Sequence, residues 1–142
     1  MRVPALMSLL AAAAAACGGA TEPPDQAGSV RHIEAGDTVR LRYGESARLG
    51  SDGPLIVFRS VEEDSRCPVD VTCVWAGDAH VRLDASQLPG TSQPIDLHTT
   101  LDPKEAGIAG YRIRLLDVAP ARTDQDAVRP EHYSILLAIS RG

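Results

Sequence analysis

Three cysteines, four histidines and one short run of mixed charge are the residues of this 142-residue chain whose chemistry could exceed packing. Cys17 closes an uncharged N-terminal stretch, while Cys67 and Cys73 stand six positions apart. Around them lie Glu62-Glu63-Asp64-Ser65-Arg66 and the sole tryptophan, Trp75. The carboxylates could offer oxygens to Ca²⁺, although that ion needs six or more. Arg66 could hold an anionic ligand, or pair with a neighbouring carboxylate in a bidentate bridge that fixes its own loop. His32, His80, His98 and His132 are scattered. His80, His98 and His132 share parity with polar neighbours, so they should face water and bind no metal unless two faces converge. No Gly-x-Ser-x-Gly, Ser-x-x-Lys or His-Glu-x-x-His occurs, and Ser65 has no base evident in the sequence. The expectation is a protein that is not an enzyme and carries no cofactor.

The N-terminus gives an address. Met1-Arg2 supplies one positive charge, and Val3 to Ala16 runs for fourteen residues without another. That is a secretory signal pattern, since a membrane-crossing helix needs about twenty residues. Ala14-Ala15-Ala16-Cys17 resembles the lipobox of bacterial lipoproteins, with Ala14 standing where an aliphatic residue such as Leu is usual. The resemblance implies cleavage after residue 16, diacylglyceryl attachment to the Cys17 thiol and permanent membrane anchoring, because each buried methylene contributes about 0.8 kcal/mol. Cleavage by the ordinary signal peptidase, releasing a soluble protein, is the alternative. Gly18, not Asp, follows the cysteine, which implies the outer membrane in a Gram-negative host and otherwise the cell membrane surface. Residues 18–29 (GGATEPPDQAGS) are small, polar and rich in Pro and Gly, and read as a flexible tether reaching about 40 Å when extended. The domain boundaries follow: signal peptide 1–16, lipidated Cys and tether 17–29, folded body 30–142.

With Cys17 assigned to lipid through that resemblance, Cys67 and Cys73 become a candidate disulfide in an oxidising compartment. A redox dithiol would favour Cys-x-x-Cys in a βαβ context, and zinc would want four ligands. The seven-residue ring would contribute about 2.4 kcal/mol in the chain-entropy model.

The body that must position these groups reads as strands. Hydrophobic residues make up 44% of the chain and aromatics only 4%, so a core here is aliphatic. Val39, Leu41 and Tyr43 alternate with Arg40 and Arg42. Ser46 to Leu49 repeats the alternation after Gly44-Glu45, suggesting a hairpin. Leu55 to Val61 is denser and reads as a central strand buried on both sides. Ala79, Val81 and Leu83 point inward from the next strand, and Ile95, Leu97 and Thr99 mark another. Asp102-Pro103-Lys104-Glu105 has the form of a helix start, stopped within about one turn by Gly107 and Gly110. Tyr111, Ile113 and Leu115, then Tyr133, Ile135, Leu137 and Ile139, give two more strands joined by a long exposed loop, Pro120 to Glu131. Seven or eight strands with frequent turns predict an all-β antiparallel sandwich, with a small closed barrel as the competing architecture.

Glu-Asp-Ser-Arg-Cys-Pro at 63–68, followed by Cys73-Val74-Trp75-Ala76-Gly77, resembles a family of small uncharacterised bacterial lipoproteins with a Cys-x-Trp-x-Gly strand entrance. The resemblance covers residues 38–140 and implies a fold but no activity. Trp75 is expected to pack against the disulfide and the core, with an exposed ligand platform as the alternative. Asp64, Arg66 and Trp75 are therefore the candidate binding or loop-fixing residues.

The net charge of −5, or −6 once Arg2 leaves with the leader, disfavours nucleic acid as a partner. The functional expectation is a membrane-anchored envelope lipoprotein with a non-catalytic binding or structural domain and a possible envelope protein partner. Two alternatives are a chagasin-like protease inhibitor and a periplasmic Cu/Zn handler. The first would use Arg129-Pro130, but Glu131 follows where that family has an aromatic residue.

Overall fold

The computed structural model describes residues 30–124 and 127–142. The leader, Cys17 and the tether fall outside those residues. Nine strands form two sheets facing each other across an aliphatic core, and neither sheet closes into a barrel. Strands β1 (Arg31–Ile33), β3 (Ser46–Leu49), β4 (Leu55–Asp64), β5 (Ala79–Ser86) and β6 (Gln93–His98) form one sheet, in that spatial order. Strands β2 (Thr38–Arg42), β9 (Ser134–Arg141), β8 (Tyr111–Ala119) and β7 (Glu105–Ile108) form the other. The all-β sandwich read from the alternation is the observed architecture.

The period-two pattern explains the burial. Along β5 every second residue, from Ala79 to Ala85, is buried, and β9 buries Ile135, Leu137 and Ile139 in the same way. Two sheets each offering one apolar face satisfy each other, leaving the polar faces in water. Phe58, Ile56, Leu83 and Leu97 from one sheet meet Leu41, Ile113, Ile135 and Leu137 from the other, and no polar or charged residue is fully buried among the described residues.

Bulges decide what happens where the alternation slips. In β8 the register moves between Leu115 and Asp117, so Leu116 is left exposed and Val118 turns inward. In β4 two shifts, Phe58/Ser60 and Val61/Glu63, turn the inward positions to Val61 and then Asp64, which pairs with Ala79. The second shift is what brings a carboxylate to the end of the core.

Four expectations need correction. Strands β2 and β3 are not a hairpin: β2 pairs with β9 and β3 with β4, so residues 43–45 carry the chain between sheets. The inner faces of both strands are apolar, and each finds a longer apolar partner in a different sheet. Strand β4 is central, yet not buried on both sides. Only Ile56, Phe58 and, in part, Val61 face the core, while Leu55 and Val57 are half-buried on the outer face. The helix start at Asp102 is instead the approach to β7, which pairs with β8 from Glu105↔Arg114 to Ile108↔Tyr111. Three residues between Pro103 and Gly107 cannot repay helix nucleation, whereas a strand there buries Ile108 and completes the edge of the sheet. Finally, Arg31–Ile33 is a strand, pairing in parallel with β3, which makes the count nine and that sheet mixed.

Candidate functional site

At one end of the sandwich β4 and β5 run on past their sheet as a narrowing ladder. The Ser65 N–H donates to the Asp78 carbonyl (2.7 Å) and the Cys67 N–H to that of Ala76 (2.9 Å). Gly77 has φ +69°, and a Cβ there would collide with the Ser65 carbonyl, so the narrow approach requires glycine. Cys67 and Cys73 then close the tip as a disulfide, with Cα atoms 5.9 Å apart.

Asp64, Arg66 and Tyr133 hold this projection to the second sheet. Arg66 donates from Nε to Asp64 Oδ1 (2.8 Å) and from Nη2 to Asp64 Oδ2 (2.7 Å), a bidentate bridge. It also donates to the carbonyls of Val118 and, at 3.0 Å, Pro120, both at the end of β8. The Tyr133 hydroxyl donates to Asp64 Oδ2 at 2.9 Å. Burial raises the Asp64 carboxyl, but hydrogen bonds from Arg66 and Tyr133 outweigh it and hold the group below its ordinary value. Burial and the Asp64 charge push the Tyr133 phenol up to about 12. Glu62, by contrast, leaves the cluster at the bulge and lies 3.8 Å from Arg82. Further along, Arg122 donates to the Arg66 carbonyl (3.2 Å) and accepts the Val69 N–H at its own carbonyl (2.9 Å). The tip is thus fastened to the β8–β9 connection, whose Arg129-Pro130 leads into a single 3₁₀ turn, Pro130–His132.

Trp75 does not pack on the disulfide or the core. It is 83% exposed, beside Val74 at 91%, Val69 at 71% and Val71 at 42%. A seven-residue ring has no interior able to hold an indole, and Tyr133, Asp64 and Arg66 already close that end of the core. The tip is fixed by hydrogen bonds and sulfur, and its apolar side chains face water.

A second cluster lies on the outer face of β5 and β6. Register places His80 opposite His98, and their rings stack with centroids 4.6 Å apart and planes 12° apart. His98 Nδ1–H donates to Asp78 Oδ2 (2.6 Å), and His80 Nε2–H donates to Asp96 Oδ1 (2.9 Å), which also accepts from Arg82 Nε (3.0 Å). Asp78 further accepts from Thr99 Oγ1 and the Thr100 and Leu101 N–H groups. Burial raises its carboxyl, but these bonds prevail and hold it at about 2. Lone pairs in nearly parallel rings do not converge on one ion, and the described residues contain no group of three His, Cys, Asp or Glu able to hold a metal. His32 and His132 lie elsewhere: His32 Nδ1–H donates to the Gly50 carbonyl, and His132 ends the 3₁₀ turn, not a strand. The alternation puts His80 and His98 on wet faces, but pairing them needs the β5–β6 register. Alternation marks Tyr133 as a core residue alone, and no signal in the sequence points its hydroxyl at Asp64.

At the opposite end, Ala85, Leu88, Thr91, Gln93 and Ile108 line a shallow depression with no charged side chain. No protein-family model, curated protein or solved structure matches this chain.

Proposed function

We propose that this chain is a lipid-anchored cell-envelope lipoprotein whose β-sandwich is a non-catalytic binding module, with the disulfide-closed tip between β4 and β5 as its contact surface. One observation carries the reading: Val69, Val74 and Trp75 stand in water on a projection that a disulfide, an Arg66–Asp64 bridge and an inter-loop hydrogen bond all fasten. Apolar groups on a slack loop could fold away. These are held out, which is how an aromatic anchor is presented to a partner with little ordering cost on binding. The lipobox-like Ala-Ala-Ala-Cys17 supplies the membrane attachment, and Gly18 directs it to the outer membrane where the host has one. Among the described residues no hydroxyl or thiol hydrogen-bonds to either stacked imidazole.

The test is detergent phase partitioning of the protein made in a bacterial host. Wild-type protein should enter the detergent phase and Cys17→Ser the aqueous phase. Equal partitioning of the two would sink the anchor.

A further inference from the structure

We infer that the outer edge of β7 is a self-pairing surface, on which a second copy of this chain adds its own β7 antiparallel and so joins the two four-stranded sheets into one. Strands β1, β6, β2 and β7 lie at sheet edges, and the first three are brief or closed. At β2 the Arg42 N–H donates to the Glu45 carboxylate (2.9 Å) and the Arg42 carbonyl accepts the Glu45 N–H (2.9 Å), while the Arg40 carbonyl accepts from the Arg31 guanidinium (3.3 Å). At β6 Pro94 has no N–H, and the His98 N–H donates to the Pro103 carbonyl (2.9 Å). Strand β1 is three residues long.

Strand β7 has no such cover. The Leu115 N–H donates to the Lys104 carbonyl (2.9 Å), which fixes the parity of the β7–β8 ladder. Lys104, Ala106 and Ile108 bond to β8, so Glu105 and Gly107 aim their N–H and C=O groups away from it. Among the described residues nothing bonds to those groups. Gly107 is exposed, its φ lies outside the left-handed region, and a Cβ there would meet only the Tyr111 carbonyl, at an ordinary 3.8 Å. Neither backbone conformation nor packing among the described residues requires glycine at that position. A close-approaching strand does.

The register follows by elimination. Only Glu105 and Gly107 carry free groups, so an antiparallel copy must bond through those same two residues. Glu105 opposite Glu105 would set like charges face to face and align Gly107 with Pro103, which has no N–H and whose carbonyl is taken by His98. Gly107 opposite Gly107 would align Glu105 with Ala109, which has φ +50° in the β7–β8 turn. Glu105 opposite Gly107 satisfies both residues of both copies: each pair exchanges both its N–H···O bonds, and Ala106 meets Ala106 on the two-fold axis. The charges suit this register alone. Glu105 lies beside Arg114 of its own β8, and across the bare Gly107 of the second copy it faces that copy's Arg112, about 10 Å away at two strand spacings. A side chain at position 107 would stand between them.

Edges this short make a small, transient interface, so a covalent trap reads it best. Single cysteines would be placed in the full Cys17→Ser chain, whose Cys67 and Cys73 are paired, and the exported protein treated with a mild oxidant. Ala106→Cys should form a disulfide-linked homodimer, because residues facing each other at a non-hydrogen-bonded position lie about 4.5 Å apart. Gly107→Cys, the more exposed site, should form none, its two copies being offset along the strands beyond disulfide reach. Adding Gly107→Glu to Ala106→Cys sets glutamates opposite each other and should cut the linked fraction about tenfold. Its melting temperature should hold, since the new side chain lies beside Arg112 of its own chain. Sedimentation of the Cys17→Ser chain, which needs no added cysteine, should show a monomer–dimer equilibrium that Gly107→Glu shifts to monomer. A monomer at all concentrations up to about 1 mM would overturn the pairing. Faster linkage at Gly107→Cys than at Ala106→Cys would mark random collision and overturn it too. So would an Ala106→Cys chain that links to another envelope protein and never to itself, which would give the edge to a foreign strand.

Discussion

Asp78 receives four hydrogen bonds, from His98, Thr99 and the N–H groups of Thr100 and Leu101, and they stabilise its charged form more than burial opposes it. A carboxyl held at about 2 against an ordinary 3.8 binds its proton less readily when folded. Its stabilisation is therefore complete above pH 3.8 and is lost as pH falls through about 2, a contribution on the order of 1–2 kcal/mol. Asp78→Asn should melt lower than wild type at pH 7, and the gap should narrow as melting curves are taken from pH 5 down to pH 2. Arg66 makes a different kind of contribution, because it joins two sheets through Asp64, Val118 and Pro120. Removing it leaves the Asp64 carboxylate nearly buried with Tyr133 as its remaining side-chain donor. Arg66→Ala should therefore cost about 2–3 kcal/mol in denaturant unfolding. Arg66→Lys should recover little of it, since an ammonium cannot make the bidentate bridge.

Among the elements, the projection between β4 and β5 departs furthest from ordinary hairpin design. Its ladder narrows at Gly77, its tip closes on itself, and Val69 bonds across to the β8–β9 connection. Each fastening acts where apolar contact is missing, since the tip's valines and Trp75 lie in water. The disulfide limits the unfolded ensemble more than it shapes the sandwich, which has its own core. Replacing Cys67 and Cys73 together by serine should lower stability by up to about 2.4 kcal/mol. The far-ultraviolet circular dichroism of the body should be unchanged, and amide exchange at Val69 and at position 67 should speed up. An unaltered melting temperature would refute the staple.

For the molecule as a whole, stability resides in the layer between the sheets. Phe58 is the largest of the fully buried side chains there, so Phe58→Ala should cost about 3–5 kcal/mol. Leu116, equally apolar, is turned to solvent by the β8 bulge. Leu116→Ser should change stability by no more than about 0.5 kcal/mol, and paired denaturant melts of the two variants would check the contrast. The same layered build separates the two ends of the sandwich: loop fastenings and exposed apolar groups gather at the tip end, with the shallow uncharged depression at the other.

Local alternation was legible in the sequence wherever a strand kept its period. Ala79 to Leu83 and Ile135 to Ile139 could be assigned an inner face from residue types alone, because side-chain direction in a strand depends only on position along it. The Arg66–Asp64 pairing was similarly near the surface of the sequence, two residues apart with opposite charges. What the chain could not reveal locally was partnership. Whether β2 meets β3 or β9, whether Glu105–Ile108 is a turn of helix or an edge strand, and which carboxylate the β4 bulges turn inward all depend on which distant apolar face competes best. His80 and His98 stack only because β5 and β6 settle in one register, and Tyr133 reaches Asp64 only across the gap between sheets. Trp75 shows the same division: its type promised burial, and the tertiary structure placed it on a ring too small to enclose it, beyond the end of a core already filled.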